Sequence, residues 1–254
     1  MRLLEGNKSG ILDSTRALLK EKHPDGKPLL EDLLLEGPIP VVQSVIFDEI
    51  DAELVKAMAL KTKGASGPSK LDASQWRRIL CSSDFGTEGV DLCKAIADFA
   101  KSICTKKAED LSSLEGYLSC SLIPLDKNPG LRPIGIGEVL RRIVGKVITT
   151  ILNKDITDAV DGVQMCAGHQ GGSEAAVHSM VDVFADDSCQ GLIQVDAENA
   201  FNSLNRKVLL KNIFLTCPEI AMYTYNCYAT PARLFVIGGG EIKSDEGTTQ
   251  GDPI

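Results

Sequence analysis

The sequence has little that would place it in a membrane or in an oxidising compartment. None of its apolar runs approaches the roughly 18 residues that a membrane-spanning helix needs, and its N-terminal stretch lacks the uninterrupted apolar segment of a secretory signal peptide. Its eight cysteines are scattered without a Cys-x-x-Cys pair, which favours reduced thiols. Cys166 and His169 could form half of a zinc site, but no second half is evident. We therefore expect an intracellular protein, cytoplasmic or nuclear.

Internal repeats, low-complexity tracts and a regular alternation of strands and helices are also absent. The 254 residues, 43% hydrophobic and 24% charged, are ordinary for a globular protein and sufficient for one large domain or two modest ones. Helical and strand patterns are mixed without a βαβα rhythm. The sequence therefore predicts an α+β fold and not a doubly wound sheet.

The residue patterns predict where the main elements lie. Apolar periodicity indicates helices at 49–62, 88–108, 138–156 and 172–187, and a further helix is expected to begin near a cap at Asp72 or Ser74. Strand-like composition occurs at 118–125, at 131–137 and, as a buried strand ending in a carboxylate, at 191–197. A hairpin with glycines at its tip is predicted for 233–247.

Charge is unevenly distributed along the chain. The formal net charge of −8 argues against a generally basic surface for nucleic acid. Residues 126–154, however, contain six basic and two acidic residues, which leaves −12 for the rest. This basic segment indicates a local anion site, although a solvated helix face explains the charges equally well.

Two features of the sequence could carry chemistry. Asp196 follows the apolar run 191–195, and a carboxylate fixed at a strand end could bind a hard cation such as Mg²⁺; the alternative is a helix N-cap for the segment after it. Lys127 and Arg132 flank an Asn-Pro-Gly turn, where a hairpin would present both cations on one side to a triphosphate. An ordinary exposed turn is the alternative.

Three stretches in order carry a family resemblance: LIPLDKNPGLRPIGIGEVLRRIVGK (122–146), IQVDAENAFNSLNR (193–206) and EGTTQGDPI (246–254). They resemble the ordered motifs of reverse transcriptases, especially those of retroelements without long terminal repeats. Upstream, KGASGPSKLDASQW (63–76) looks like the Gly-Pro stretch that precedes the fingers motifs of many of these enzymes. The resemblance runs from about residue 62 to residue 254 and implies RNA-directed DNA polymerase activity.

The resemblance also implies an architecture and a set of partners. Residues 62–189 would form a fingers-like region and 190–254 part of the palm of a right-hand polymerase, after a helical segment, 1–61, of unknown role. The partners would be an RNA template, a DNA primer and deoxynucleoside triphosphates (dNTPs). The cofactor would be Mg²⁺ or Mn²⁺.

Residue roles follow from the matched motifs. Asp196 matches the first catalytic aspartate and metal ligand, and the backbone carbonyl of Ala197 a further ligand. Phe201 matches the bulky residue that excludes a 2′-hydroxyl. The incoming nucleotide would contact Lys127, Arg132, Gln250 and Gly251, and the candidate template contacts are Arg141, Arg142 and Lys146. Helical spacing puts Arg142 and Lys146 on one face.

The chain departs from the family in one respect. The family completes its metal site with a Tyr-x-Asp-Asp hairpin after the QGDP segment, and this sequence reaches Ile254 first. Phe184-Ala185-Asp186-Asp187 resembles that motif but precedes Asp196 and follows a helical pattern, so we expect Asp186 and Asp187 to be solvated loop carboxylates. A permuted motif order is the alternative.

We therefore expect a reverse-transcriptase fragment that does not polymerise by itself, because one carboxylate cannot hold two metal ions. A non-catalytic, nucleic-acid-binding relic of a retroelement is the second hypothesis. A third is an unrelated soluble α+β protein that matches by chance.

Overall fold

The computed structural model describes residues 9–27, 37–127, 130–160, 164, 171–249 and 252. Within them the longer helices are α1 (Ser9–Glu21), α2 (Ala52–Lys61), α3 (Ala73–Cys81), α4 (Gly86–Thr105), α6 (Val139–Ile151), α7 (Asn153–Val160), α8 (Gly172–Phe184), α10 (Arg206–Thr216) and α11 (Ala221–Tyr228). Two short helices are α5 (Glu115–Leu118) and α9 (Ala200–Ser203). No helix in these ranges is long and apolar enough to cross a membrane.

The strands form one mixed sheet. They are β1 (Cys120–Asp126), β2 (Leu131–Gly137), β3 (Ala232–Val236) and β4 (Glu241–Ser244), in the spatial order β2-β1-β3-β4. β1 is antiparallel to β2 and parallel to β3, and β3 is antiparallel to β4. The fold therefore mixes helices with a small sheet, and both predicted hairpins are confirmed.

The larger core lies among helices α2, α3, α4, α6 and α11. Its fully buried side chains include Ile143, Val144, Val147 and Ile148 of α6 and Tyr223 of α11. Local signals set the helix starts: Asp51 caps α2, and Asp72 and Gln75 form a capping box at α3. The helices predicted at 49–62 and 88–108 are confirmed, and of the two residues considered for the cap of α3 the structure has Asp72.

A second core lies on the sheet. The N-terminal helix α1 inserts Leu19, which is fully buried, among apolar side chains of all four strands: Cys120, Leu122, Leu131, Leu234, Val236 and Ile242. Through this contact a segment far away in sequence becomes part of the sheet's packing.

The strand predicted at 191–197 is wrong. These residues adopt neither helix nor strand, and Ile193 and Val195 are 91% and 85% exposed. Apolar, β-branched composition favours a strand only where a neighbouring strand pairs with its backbone and another layer covers its side chains. Within the described chain, the four-stranded sheet does not include this segment.

The helix predicted at 138–156 is also corrected in detail. Leu152 divides it into two helices, because α6 ends at Ile151 and α7 begins at Asn153.

Candidate functional site

The β1–β2 hairpin presents Lys127 and Arg132. Both side chains are exposed, and the Lys127 N–H donates to the Gly130 carbonyl at 3.1 Å. Arg132 pairs with Leu125, and side chains directly opposite each other lie on the same face of a sheet. Lys127 follows Leu125 by two residues and lies one position beyond β1, so a continuation of the strand alternation would direct both cations to one face.

Asp196 and Ala197 lie in the exposed segment 191–197. A carboxylate and a carbonyl are donors of the type that Mg²⁺ prefers. Among the described residues, however, no group of three or more His, Cys, Asp or Glu side chains could hold a metal ion. These two donors therefore do not amount to a complete magnesium site.

The second and third motifs meet at backbone hydrogen bonds. Gly247 N–H donates to the Leu204 carbonyl at 2.7 Å, and Thr248 N–H donates to the Phe201 carbonyl at 2.6 Å. Gly247 has φ +73°, and a Cβ there would lie 2.2 Å from the Phe201 oxygen, so only glycine fits. The Phe201 side chain remains 57% exposed. The structure thus places an accessible aromatic ring beside the loop 246–249.

Two buried charges, Glu246 and Arg206, fix this junction. Glu246 accepts hydrogen bonds from Arg206 N–H at 2.8 Å and from Asn205 Nδ2 at 3.0 Å. The Arg206 guanidinium donates to the Gly247 carbonyl at 2.9 Å, to the Thr230 carbonyl at 3.1 Å and to Ser244 Oγ at 2.9 Å. Burial lowers the pKa of Arg206, and Tyr228 and Glu246 oppose that shift. Charge-assisted hydrogen bonds, accepted by the Glu246 carboxylate and donated by the Arg206 guanidinium, therefore hold the loop 246–249 in place.

Arg141 lies in the interior, not on a template-facing surface. Its side chain is 4% exposed and its Nη2 is 2.5 Å from Asp252 Oδ2, which also accepts a hydrogen bond from the Tyr228 hydroxyl at 2.5 Å. The Tyr228 ring lies 5.3 Å from the Arg141 guanidinium and 5.4 Å from that of Arg206. Burial lowers the pKa of Arg141, but Asp252 and, to a smaller extent, Tyr228 and other neighbouring groups together raise it well above its ordinary value. The prediction that Arg141 contacts the template is thus corrected, because its guanidinium is paired with the buried carboxylate of Asp252.

The other two candidate template residues lie on one face of α6, as predicted. Arg142 Nη1 donates to the Lys63 carbonyl at 2.7 Å and Nη2 to that of Ala65, while Lys146 Nζ donates to the Lys61 carbonyl at 3.0 Å. One turn before Arg142, Glu138 accepts from Ser69 N–H at 2.7 Å and from Ser69 Oγ at 2.6 Å. This face of α6 therefore holds the Gly-Pro stretch upstream of α3.

These contacts leave a basic patch, which we define as Lys61, Lys63, Arg142 and Lys146. Lys61 and Lys63 are exposed, and the other two are partly buried. Burial lowers the pKa of Lys146, and the nearby charges of Arg142, Lys61 and Lys63 lower it further. These four cations concentrate positive charge at one place on an acidic protein, a charge distribution that attracts anions.

Asp186 and Asp187 are exposed in the turn that follows α8, as expected. Asp186 Oδ1 accepts from Ser188 N–H at 2.8 Å and from Ser188 Oγ at 2.5 Å, and these bonds lower its pKa. Both residues are therefore loop carboxylates. Gln250, Gly251, Cys166 and His169 lie outside the described residues.

The sequence interpretation missed four members of this site: Glu138, Arg206, Glu246 and Asp252. All four fall within or at the edge of the matched motifs. Their partners are far away in sequence, so spacing alone could not assign them. A charged residue inside a motif of mostly small and apolar residues was the one available signal.

The chain matches no protein-family model, no curated protein and no solved structure.

The buried ion pair can be tested through stability. We expect Asp252→Asn to lower the free energy of unfolding by about 3–5 kcal/mol, because it leaves the Arg141 charge buried without its counter-ion. Urea denaturation measures the change. The matched control is Asp84→Asn, which breaks an exposed pair with Arg78 and should cost less than about 1 kcal/mol.

A double variant, Arg141→Met with Asp252→Asn, should lose less than the two single variants combined. Equal costs for Asp252→Asn and Asp84→Asn would contradict a buried, coupled pair.

His23, just after α1, gives a prediction about pH. It is 5% exposed, and its Nδ1 is 2.8 Å from the Leu19 carbonyl. Burial lowers the pKa of His23 from 6.5, the Leu19 hydrogen bond opposes this, and Lys20 and Arg206 lower it further. The folded state therefore prefers neutral His23. The contribution of His23 to the free energy of unfolding should be fully present above about pH 6.5 and should be lost as the pH falls toward the folded-state pKa.

Urea midpoints at pH 7.5 and 5.5 would measure this effect. His23→Gln should lose less stability between the two pH values than the unmodified protein. His178→Gln, at an exposed position, should behave like the unmodified protein. An identical pH dependence in all three would contradict the assignment.

Proposed function

We propose that the chain forms the fingers and first part of the palm of a retroelement reverse transcriptase, which transfers deoxynucleotides to a primer 3′-hydroxyl under the direction of an RNA template. The carrying observation is that motifs separated in sequence join at one place. Gly247 and Thr248 bond to the backbone of Phe201 and Leu204, and Asp252 pairs with Arg141 of the first motif. Chance matches would have no reason to share a buried hydrogen-bond network.

The chain's own residues have distinct roles in this proposal. Lys127 and Arg132 match the charge of the triphosphate from one face of the hairpin. The exposed ring of Phe201 occupies the space that a 2′-hydroxyl would need and so selects deoxynucleotides. The 3′-hydroxyl attacks the α-phosphorus, a new phosphodiester forms, and pyrophosphate leaves.

The metal would be bound through Asp196 and the Ala197 carbonyl. Mg²⁺ or Mn²⁺ supplies charge neutralisation at the phosphates when bound. Among the described residues no group of three or more His, Cys, Asp or Glu side chains could hold a metal ion, so we expect no primer extension by the 254-residue chain alone.

The basic patch favours a nucleic-acid role in either of two forms. Lysine and arginine on a duplex backbone give binding that depends strongly on salt, and an A-form hybrid would be recognised by shape and backbone. A non-catalytic nucleic-acid-binding relic is therefore the second candidate. It shares hybrid binding with the polymerase but not selective dNTP binding.

Nucleotide selection separates the two candidates. With Mn²⁺ and a fluorescent dNTP or its ribonucleotide counterpart, we expect the dNTP to bind more tightly, and Phe201→Ala to reduce that ratio by about tenfold or more. Arg132→Gln should weaken both nucleotides. The matched control is Phe85→Ala, at another partly exposed phenylalanine. Absence of dNTP binding would favour the relic.

The basic patch is tested by anisotropy with an RNA–DNA hybrid at several salt concentrations. Lys61→Gln with Lys63→Gln should weaken binding and reduce the slope of log K against log salt by about two. The control, Lys94→Gln with Lys107→Gln, makes the same charge change at two exposed lysines outside the patch. If both pairs behave alike, the patch is not the binding surface.

A further inference from the structure

Residues 9–27, which we call the N-terminal clasp, contact two loops of the candidate site: the loop that leads from Asp196 to Phe201, and the loop 246–249. The clasp comprises α1 and the turn after it, and it is anchored by Leu19 in the core of the sheet. The motif resemblance begins only near residue 62 and assigns this segment no role.

The first contact reaches the loop that leads from Asp196 to Phe201. Asn199 Nδ2 donates to the Lys22 carbonyl at 2.8 Å, and Lys22 Nζ lies 3.5 Å from Glu198 Oε1. Asn199 has φ +53°, in the left-handed region that asparagine tolerates, and it immediately precedes α9. The clasp thus binds the residue at which the chain turns into the helix that carries Phe201.

The second contact reaches the loop 246–249. Lys27 N–H donates to Glu246 Oε1 at 3.0 Å, the same oxygen that accepts from Asn205. Between the two contacts, His23 lines a small cavity together with Asn202, Thr248 and Thr249. One continuous segment therefore spans the junction between the loops and contacts each of them.

We propose that the N-terminal clasp is a positioning element, which fixes α9 and Phe201 against the loop 246–249. It contributes no reacting group. Its effect on nucleotide selection rests on the proposed function, whereas its effect on the loops does not.

The loops report their own order through amide hydrogen exchange. The relevant amides are those of Asn202, Ser203, Leu204, Gly247 and Thr248, which donate to backbone carbonyls within and between the loops. Asn199→Asp keeps the size, the left-handed backbone preference and the acceptor for Asn202 Nδ2, but removes the donor to Lys22. Lys27→Pro removes the N–H that Glu246 accepts.

We expect each variant to accelerate exchange at these amides by about fivefold or more, as the loss of one hydrogen bond implies. Amides of β1 and β2 should remain unchanged. Asn212→Asp makes the same chemical change at an exposed position of α10 and should leave the loops unchanged. Lys20→Gln breaks an exposed pair with Asp25 inside the clasp and should also have no effect.

Unchanged loop exchange in both variants would overturn the proposal, and so would acceleration spread equally over β1 and β2. A functional readout then separates positioning from stability. In Asn199→Asp the ratio of dNTP to ribonucleotide affinity should fall while hybrid binding is retained. If the unmodified chain binds no dNTP, the proposed function fails, but the exchange result still decides on the clasp.

Discussion

The candidate site depends on the buried ion pair between Arg141 and Asp252. It joins α6 to Asp252, 111 positions later in the chain, and the Tyr228 hydroxyl also donates a hydrogen bond to Asp252. Removing two charges from water is costly, and the cost is recovered only where geometry and additional hydrogen bonds are good. The pair therefore disfavours any other position of Asp252 relative to α6. It also places the Tyr228 ring next to Arg206, whose guanidinium holds the loop 246–249.

Helical geometry gives the neighbouring basic residues Arg141 and Arg142 of α6 different surroundings. Successive residues on a helix point about 100° apart, so Arg141 faces the core while Arg142 faces the chain at Lys63–Ala65. Counting charges along 126–154 could not separate them, since both contribute equally to the sum. What distinguishes them is the carboxylate that α6 meets on one side and the backbone carbonyls on the other. Only the second side leaves positive charge near solvent.

Features encoded by neighbouring residues could be predicted from the sequence, and features encoded by distant partners could not. The helix cap near Asp72, the helix α4 and the β1–β2 hairpin depend on residues within a few positions, and all were confirmed. The burial of Arg141, the contact of Lys27 with Glu246 and the packing of Leu19 on the sheet depend on partners over a hundred residues away. The predicted strand at 191–197 had the right local composition and lacked the partner.

The dependence on distant partners also affects the metal site proposed at Asp196. A metal ligand must be held rigidly for the ion to have fixed geometry, yet Asp196 follows Ile193 and Val195, whose side chains are almost fully exposed. Helix α8 also exposes Val177, Val181 and Phe184, which line an open apolar cavity together with Leu192 of this segment. Covering these apolar groups would be favourable in itself. Because Asp196 is adjacent to Val195, a strand that paired with this segment would also hold the carboxylate in place. The metal binding that we propose for Asp196 would therefore be coupled to burial of the segment before it.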